Sequence, residues 1–403
     1  MRSYSARAGD TFESLARKLY GSEQEADRLR YANPQVTEPI PEGAQITYAP
    51  TSIESKTPAA DSPDRVELRL NGGIFRYWES VAITRSLDSV DVIEISAPFD
   101  PTDAAQRAAF RPFSFQSVEA LIGGVRLFSG TIVQVSPQSG ANASRVRLVG
   151  YALAGVLANC TPPPNLPLEF NGWTLDRIAA ELCRPFGVAV SFEAEAGPAF
   201  DRIKCARTDR VLEFLADLGR QRGGVWASRP DGGLTFRKSS DAGTPVASLK
   251  EFEAPVEAVT TDFDGQNYFS QVSGFEPIGT GSRGSIYTVN NPRVKAVRPH
   301  TFTVTDAIGG DVKTATEAAM GRMFGSAAPY AVSLATWRTP SGELWAPDMT
   351  VSLLAPRAMV YSPYKFKVRR AVLRADSDTK TAALELMLPG CLAGEIPESL
   401  PWD

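Results

Sequence analysis

Residues 4–16 read YSARAGDTFESLA and open a segment that closes near residue 50. Gly9-Asp10 predicts a turn, and the short side-chain oxygen of Asp10 or Thr11 can cap a helix that follows it. Four apolar residues have the i, i+3, i+4, i+7 spacing of one helical face: Phe12, Leu15, Ala16 and Leu19. The stretch therefore predicts a turn that leads into an amphipathic helix.

A second helix and a closing strand are predicted in the rest of this segment. Gly21 ends the first helix. Residues 27–32 form the second helix, which stops at Asn33-Pro34 because proline forces the residue before it out of the α region. PEG at 41–43 then turns the chain into a strand at 44–48. This strand–helix–helix–strand order resembles a LysM module, a small βααβ unit that binds amino-sugar chains.

The composition is that of a globular protein with several domains. The chain has 403 residues, of which 43% are hydrophobic and 22% charged, and its net charge is −4. This length predicts two to four domains. The charge gives no electrostatic reason to expect nucleic-acid sequence recognition. No apolar run approaches the roughly 20 residues of a membrane span, and the start MRSY lacks the apolar stretch of a secretory signal.

Changes of pattern divide the chain into six segments. The polar stretch TSIESKTPAADSP after the first unit predicts a linker. Two strand-rich stretches predict β-barrel-like domains, and helices near 174–183 and 209–218 predict an α+β domain between them. The expected class is therefore α+β, mainly β. The predicted segments are a LysM module at 1–50, a linker at 51–63, a first β-barrel-like domain at 64–151, an α+β domain at 152–244, a second β-barrel-like domain at 245–390 and an extended tail at 391–403.

Four stretches of this body form a recognisable layout: residues 66–78, FSGTI at 128–132, WTL at 173–175 with the helix after it, and WAPDMTV at 345–351. That layout resembles the baseplate hub proteins of contractile-tailed phages, particularly the Mu-like group and the late-control tail proteins. In that family two barrels of each subunit alternate around a homotrimer. The resemblance implies a pseudo-six-fold ring that joins a six-fold tail tube to a three-fold spike.

The LysM resemblance implies a groove between the first strand–helix loop and the second helix–strand loop. The positions that fall there are Gly9, Asp10, Thr11, Phe12, Thr37, Pro39 and Ile40. Their backbone groups would pair with N-acetyl groups above an apolar floor, without cleaving the glycan. In a baseplate the same groove would instead dock another tail protein. We favour docking because a hub is buried within the baseplate, but the sequence leaves both ligands open.

Metal and cofactor sites are not expected. The cysteines at 160, 183, 205 and 391 include no C-x-x-C pair, and His300 is the single histidine, so the usual zinc frameworks are excluded. Cys183 falls on an apolar helix face and is predicted to be a core residue. GTGSRG at 279–284 matches the dinucleotide pattern G-x-G-x-x-G, but a strand rather than a helix follows it. Asp262 and Asp264 share one face of a predicted strand, and two carboxylates are too few to hold a cation.

Catalysis is not expected either. His300 has no nucleophile elbow to work with, because the chain contains no G-x-S-x-G. Glu13 and Glu42 could imitate the paired carboxylates of a glycosidase. Glu13, however, lies on the polar face of the first helix, and LysM modules bind without hydrolysis. We therefore predict no catalytic residue, no metal and no cofactor.

Three functions follow, of which the first is preferred. The first, implied by the resemblance to baseplate hubs, is a hub of a contractile tail or related contractile injection system, which we would expect in the virion and assembled in the host cytoplasm. Its expected partners are two further copies of itself, the central spike protein and the tail tube protein, with baseplate wedge proteins or peptidoglycan at the LysM groove. The alternatives are a peptidoglycan-binding LysM cell-wall protein and a LysM-tethered wall hydrolase.

Overall fold

The computed structural model describes residues 2–20, 26–48, 63–140, 143–239, 243–276, 284–304, 311–376 and 379–403. The N-terminal unit has the strand–helix–helix–strand order expected from the sequence. Its elements are β1 (Arg2–Ser5), α1 (Phe12–Tyr20), α2 (Ala26–Ala32) and β2 (Gln45–Tyr48). The two strands pair antiparallel, with Tyr4 opposite Ile46. Gly21 and all of the predicted linker except Pro63 lie outside the described residues.

Local hydrogen bonds explain where the helices of this unit begin and end. Thr11 caps α1 through a reciprocal pair: its Oγ1 accepts the N–H of Ser14 at 3.2 Å, and its own N–H donates to Ser14 Oγ at 2.9 Å. Asp10 instead accepts the N–H of Arg7 at 2.8 Å. The apolar face predicted for the first helix is buried at Phe12 and Leu15. Those two side chains form the centre of the unit's own small core.

The described residues of the first β region form seven strands and one short helix. They are β3 (Val66–Leu70), β4 (Gly73–Phe75), β5 (Ser80–Ser86), β6 (Val92–Pro98), α3 (Ala104–Ala109), β7 (Ser117–Ile122), β8 (Val125–Gly140) and β9 (Ala143–Ala152). The hairpin predicted at its start is present. Asn71 and Gly72 both have positive φ, 49° and 78°, as a two-residue hairpin turn requires.

A separate α+β unit follows, with a hydrophobic core of its own. Its elements are α4 (Val156–Asn159), α5 (Leu175–Cys183), β10 (Val190–Phe192), α6 (Val211–Gln221), β11 (Val225–Ser228) and β12 (Leu234–Arg237). The strands form a sheet in the order β10-β12-β11. Cys183 is fully buried, as predicted. Thr174 occupies the N-cap position of α5, but its side chain makes no capping hydrogen bond, unlike the role expected from sequence.

The described residues of the second β region form nine strands and one long helix. They are β13 (Ala247–Lys250), β14 (Val256–Thr261), β15 (Gln271–Phe275), β16 (Ile286–Asn290), β17 (Pro299–Thr303), α7 (Val312–Ala327), β18 (Tyr330–Leu334), β19 (Thr350–Ala355), β20 (Val360–Ala375) and β21 (Lys380–Met387). One strand prediction was too long. β14 ends at Thr261, so Asp262 and Asp264 lie in an exposed loop and not on a strand face.

A long sheet joins the two β regions. Its order is β14-β18-β21-β20-β5-β6-β9-β8-β7-β3-β4, with β13 and β19 attached beside β20. The crossing between the regions is the antiparallel pair β20–β5, in which Val372 lies opposite Thr84. One hydrophobic core cluster contains side chains from both regions. The two strand-rich stretches therefore share a sheet and a core.

The C-terminal residues are less extended than the sequence suggested. Residues 391–393 form a 3-10 turn, and Cys391 is fully buried. Leu400 is also buried, and the ring of Trp402 packs edge-on against Phe263, with centroids 5.0 Å apart. The tail therefore folds back onto the second β region.

Candidate interaction sites

The structure brings together the two loops of the N-terminal unit that the LysM resemblance singled out. The N–H of Phe12 donates to Glu38 Oε1 at 2.8 Å, across 26 positions of sequence. Four of the predicted groove residues are exposed: Gly9, Thr11, Thr37 and Pro39. Phe12 and Ile40 are instead buried in the core of the unit, at 2% and 5% exposure. These two side chains support the loops from beneath and present almost no surface.

Two charged residues that sequence reasoning missed organise this surface. Arg30 forms ion pairs with Glu13, with Asp27 at 2.9 Å and with Glu38 at 3.6 Å. Its guanidinium also lies 5.5 Å from the centre of the Phe12 ring. Glu38 is the second missed residue, although it stands between the predicted positions Thr37 and Pro39. Because Glu38 occupies the N–H of Phe12, that donor is not open to a ligand.

The same ion pairs bear on the glycosidase alternative. A backbone hydrogen bond, followed by the hydrogen bond from Arg30, lowers the pKa of Glu13. A general acid in glycoside hydrolysis needs a raised pKa, so that it carries a proton at the start of the reaction. Glu13 has the opposite environment, and Glu42 is an exposed residue of the 41–43 turn. Glu13 therefore lacks the surroundings of a glycosidase general acid.

His300 lies on the exposed face of β17. Its ring stacks on Phe269, with centroids 4.6 Å apart and planes 12° apart. β17 pairs parallel with β15, which places His300 opposite Val272. The arrangement is that of a histidine at a strand edge with an aromatic neighbour.

The remaining sequence candidates have ordinary structural roles where the structure describes them. Asp264 Oδ1 accepts the N–H of Gln266 at 2.8 Å, within a loop. Of the glycine-rich stretch at 279–284, only Gly284 is among the described residues. Within the described part of the chain, no group of three or more His, Cys, Asp or Glu residues is arranged to hold a metal ion. No helix in that same part is long and apolar enough to cross a membrane.

The loop at 86–91 is a junction between regions that the sequence did not reveal. The N–H of Ser86 donates to Asp91 Oδ1 at 2.9 Å, and the N–H of Asp91 donates to Ser228 Oγ at 3.0 Å. Burial raises the pKa of Asp91 to about 7, against the opposing effect of Arg85, whose Nε lies 4.0 Å from the carboxylate. Since Ser228 belongs to β11, this contact ties the first β region to the α+β unit.

A second contact at the same loop reaches the second β region. Arg369 Nε donates to Asp88 Oδ2 at 3.0 Å, and Arg369 Nη1 donates to Glu385 Oε1 at 3.4 Å. The N–H of Leu87 also donates to the carbonyl oxygen of Arg369 at 2.8 Å. SLDSVD at 86–91 has the composition of an ordinary loop, so only the fold shows that three regions meet there.

The fold is that of phage and prophage tail proteins. The 43 kDa tail protein of prophage MuSo2 from Shewanella oneidensis is similar with a TM-score of 0.66 and 22% identity, over 81% of this chain and 98% of that protein. A tail protein from Neisseria meningitidis MC58 is similar with a TM-score of 0.69 and 21% identity, over 82% of this chain and 98% of that protein. At these identities the likeness establishes the fold alone.

Similarity in amino-acid sequence indicates a more specific class of protein than the fold does. Residues 154–238, which contain the α+β unit, match the second domain of the family described as baseplate hub protein gp44-like. The chain is also 26% identical over 312 residues to the baseplate hub protein gp44 of Escherichia phage Mu. That alignment covers 72% of this chain and 79% of the phage protein. These matches support a phage baseplate hub with a structural role in the tail.

Proposed function

We propose that three copies of this chain form the hub ring of a contractile phage tail or tail-like particle. The ring adapts the six-fold tail tube to the three-fold central spike. The observation that carries the proposal is the sheet crossing at β20–β5, which sets two β regions side by side in one copy. Three such copies present six β regions around an axis, and a tail tube protein and a spike protein are the partners on its two sides.

Contacts at the 86–91 loop support this arrangement. A ring that transmits force between tube and spike needs its parts held in one orientation. Asp91 contacts Ser228 of the α+β unit, and Arg369 of the second β region binds Asp88. Similarity to the Mu hub protein over 72% of the chain supports the same interpretation.

Native mass spectrometry and light scattering of the purified chain test the ring. The expected particle has three times the 43.5 kDa mass of one chain. A strict monomer at high protein concentration would contradict the proposal. Cryo-electron microscopy of particles that contain the chain would then test its place between tube and spike within the virion baseplate. Copies found only on the outside of the tail would refute the adaptor role.

The N-terminal unit is proposed to be a LysM module that docks a second ligand. The hydrogen bond between Phe12 and Glu38 brings its two candidate loops together, and the exposed positions Gly9, Thr11, Thr37 and Pro39 are available to a ligand. Peptidoglycan and a baseplate wedge protein are the two candidates, and we favour the wedge protein. The engaged Phe12 N–H supports that preference, since one backbone donor is already taken.

A pull-down with purified sacculi separates these ligands. Retention of the whole chain on sacculi, abolished by competition with soluble chitin fragments, would establish glycan binding. Failure to bind sacculi, with co-purification of wedge proteins from assembled particles, would establish docking. Zymography on peptidoglycan addresses the wall-hydrolase alternative. No clearing is expected there, because hydrogen bonds lower the pKa of Glu13, whereas a glycosidase general acid needs a raised one.

A further inference from the structure

Two exposed phenylalanines project from the loop between α3 and β7. The side chains of Phe113 and Phe115 are 87% and 61% exposed. Both residues have a left-handed backbone, with φ of 59° and 47°. Bulky L-residues rarely adopt this conformation, because the Cβ approaches the following carbonyl oxygen. We call residues 111–116 the aromatic loop. In an isolated copy of the chain, this loop combines exposed apolar rings with an unfavourable backbone conformation.

The aromatic loop is anchored at its N-terminal end and closed by an internal hydrogen bond. Phe110 is 5% exposed, and its ring packs edge-on against Phe75 and Phe99 with centroids 5.9 Å away in each case. Ser114 Oγ donates to the carbonyl oxygen of Arg111 at 2.7 Å, which closes the turn. The two exposed rings are thus presented from a fixed base. Because the loop is already held in one conformation, binding a partner costs little further ordering of the loop.

An apolar hollow of about 420 Å³ lies on the outer face of the second β region. Its walls come from four neighbouring strands, β14, β18, β21 and β20. Ala331 and Ala383 face it, since their neighbours Val332 and Leu384 point into the core and side chains alternate along a strand. These small side chains leave a recess that larger side chains would fill. We call this recess the sheet hollow.

The sheet hollow matches the aromatic loop in size. An apolar cavity of about 150 Å³ already accepts a benzene ring. A hollow of about 420 Å³ therefore has room for both phenyl rings. Val372 adds a further apolar wall. The loop lies in the first β region and the hollow in the second, so the two features belong to different regions of one chain.

The charges around the two features are also complementary. Arg111 is exposed in the aromatic loop, and Asp262 is exposed at the rim of the sheet hollow. Arg370 Nη1 and Glu385 Oε2, which line the hollow, lie 2.9 Å apart. Covering this ion pair leaves neither charge without its partner. Among the described strands β14 ends the long sheet, so a loop docked here would also cover a sheet edge.

We propose that the aromatic loop of one copy seats in the sheet hollow of the next copy. The contact joins a projection on one surface to a recess on another, and repeated contacts of this kind close into a ring when the rotation between copies permits it. The inference rests on the proposed ring of three copies and identifies the surfaces that hold it together. Arg111 then pairs with Asp262 of the neighbouring copy.

Three variants of the full chain test this contact. The first combines Phe113→Ser with Phe115→Ser and removes the projection. The second is Ala331→Trp, which fills the sheet hollow. The matched control is Phe252→Ser, because Phe252 is also exposed (74%) and left-handed (φ 65°) but lies under the guanidinium of Arg357 at 4.7 Å. Far-ultraviolet circular dichroism and thermal melts show whether each variant is folded.

The readout is the association constant from sedimentation and native mass spectrometry over a concentration series. Both test variants should weaken association by at least ~10-fold at each interface between copies, as expected for apolar rings returned to water. Phe252→Ser should associate like the wild type. A wild-type chain that forms trimers while the double serine variant assembles as well as the control overturns this inference and leaves the proposed function standing. A wild-type chain that is monomeric at all concentrations overturns both.

A mixing experiment tests which surfaces meet. The double serine variant keeps its hollow, and Ala331→Trp keeps its projection. Together they should form mixed dimers that cannot close into a trimer, although neither variant dimerises alone. Absence of mixed dimers, with trimers of wild type present, would refute the pairing of these two surfaces.

A charge exchange gives an independent test. Arg111→Asp and Asp262→Arg should each weaken assembly, and the chain that carries both should recover most of it. Additive weakening in the double variant would show that the two residues do not meet.

Discussion

Replacement of Asn33 by alanine is expected to unfold the N-terminal βααβ unit while the rest of the chain stays folded. Asn33 is fully buried. Its Nδ2 donates to the carbonyl oxygens of Leu29 and Thr47, at 2.8 and 2.7 Å, and its Oδ1 accepts the N–H of Thr47 at 2.6 Å. The side chain therefore ties the end of α2 to β2. Alanine can form none of these hydrogen bonds.

The magnitude follows from the groups that lose their partner. A buried polar group left unpaired costs about 1–3 kcal/mol. The N–H and the carbonyl of Thr47 both lose Asn33, and the carbonyl of Leu29 loses one donor. The total is expected to be about 3–5 kcal/mol. A folding unit of this size has about 2–7 kcal/mol of stability at ~0.05–0.15 kcal/mol per residue. The loss is thus comparable to the whole stability of the unit.

Hydrogen exchange followed by mass spectrometry on the full chain is the suitable assay. Amide protection in peptides from 26–48 should fall by about two to three orders of magnitude, since each 1.4 kcal/mol corresponds to a factor of about 10. Peptides from β6 and β9 should not change. The matched control is Gln35→Ala, which removes an exposed side-chain amide two residues after Asn33. Wild-type protection of 26–48 in Asn33→Ala would refute this account of the unit's stability.

Three further predictions concern the body of the chain. The pKa of Asp91 in the folded chain, about 7, lies above its ordinary value of 3.8. The wild type should therefore lose stability relative to Asp91→Asn as the pH rises from about 4 to about 7. Melting temperatures of the two chains that run parallel across that pH range would contradict this expectation. Arg369→Ala leaves Asp88 without its ion-pair partner, while Glu385 keeps Arg370, and should destabilise the chain by about 1–3 kcal/mol in urea. Arg374→Ala, which replaces an exposed arginine on the same strand, should be nearly neutral. Phe113→Gly removes the left-handed strain and should raise the stability of dilute monomer by about 1 kcal/mol; a lower melting temperature would show that the ring stabilises the monomer itself.

Several features followed directly from short stretches of sequence. Phe12 and Leu15 are core residues of α1, and the turn at Asn71-Gly72 joins two strands. Cys183 is buried on an apolar face of α5. Each of these depends on the spacing of apolar side chains or on the φ that a residue can adopt. Both properties are set within a few residues along the chain.

Other features could not be predicted from the sequence, because they depend on where an element ends or on a residue far away along the chain. The strand expected to reach Phe263 stops at Thr261, where Thr261 Oγ1 donates to the carbonyl oxygen of Pro329. Nothing near Glu38 in the sequence indicates that it accepts the N–H of Phe12. The reciprocal cap at Thr11, by contrast, involves only Ser14 three positions on, and it was within reach of the sequence.

The sequence by itself determined the strand–helix–helix–strand order of the first unit and the mainly β, α+β class of the fold, because periodicity, turn residues and composition are local properties. Only the tertiary structure decided that β20 pairs with β5, that Asp91 is buried at a junction of regions, and that four strands together line the sheet hollow. Strand pairing and burial depend on which surfaces meet after the chain has folded. Residues more than a hundred positions apart then share one environment, and no local pattern encodes that environment.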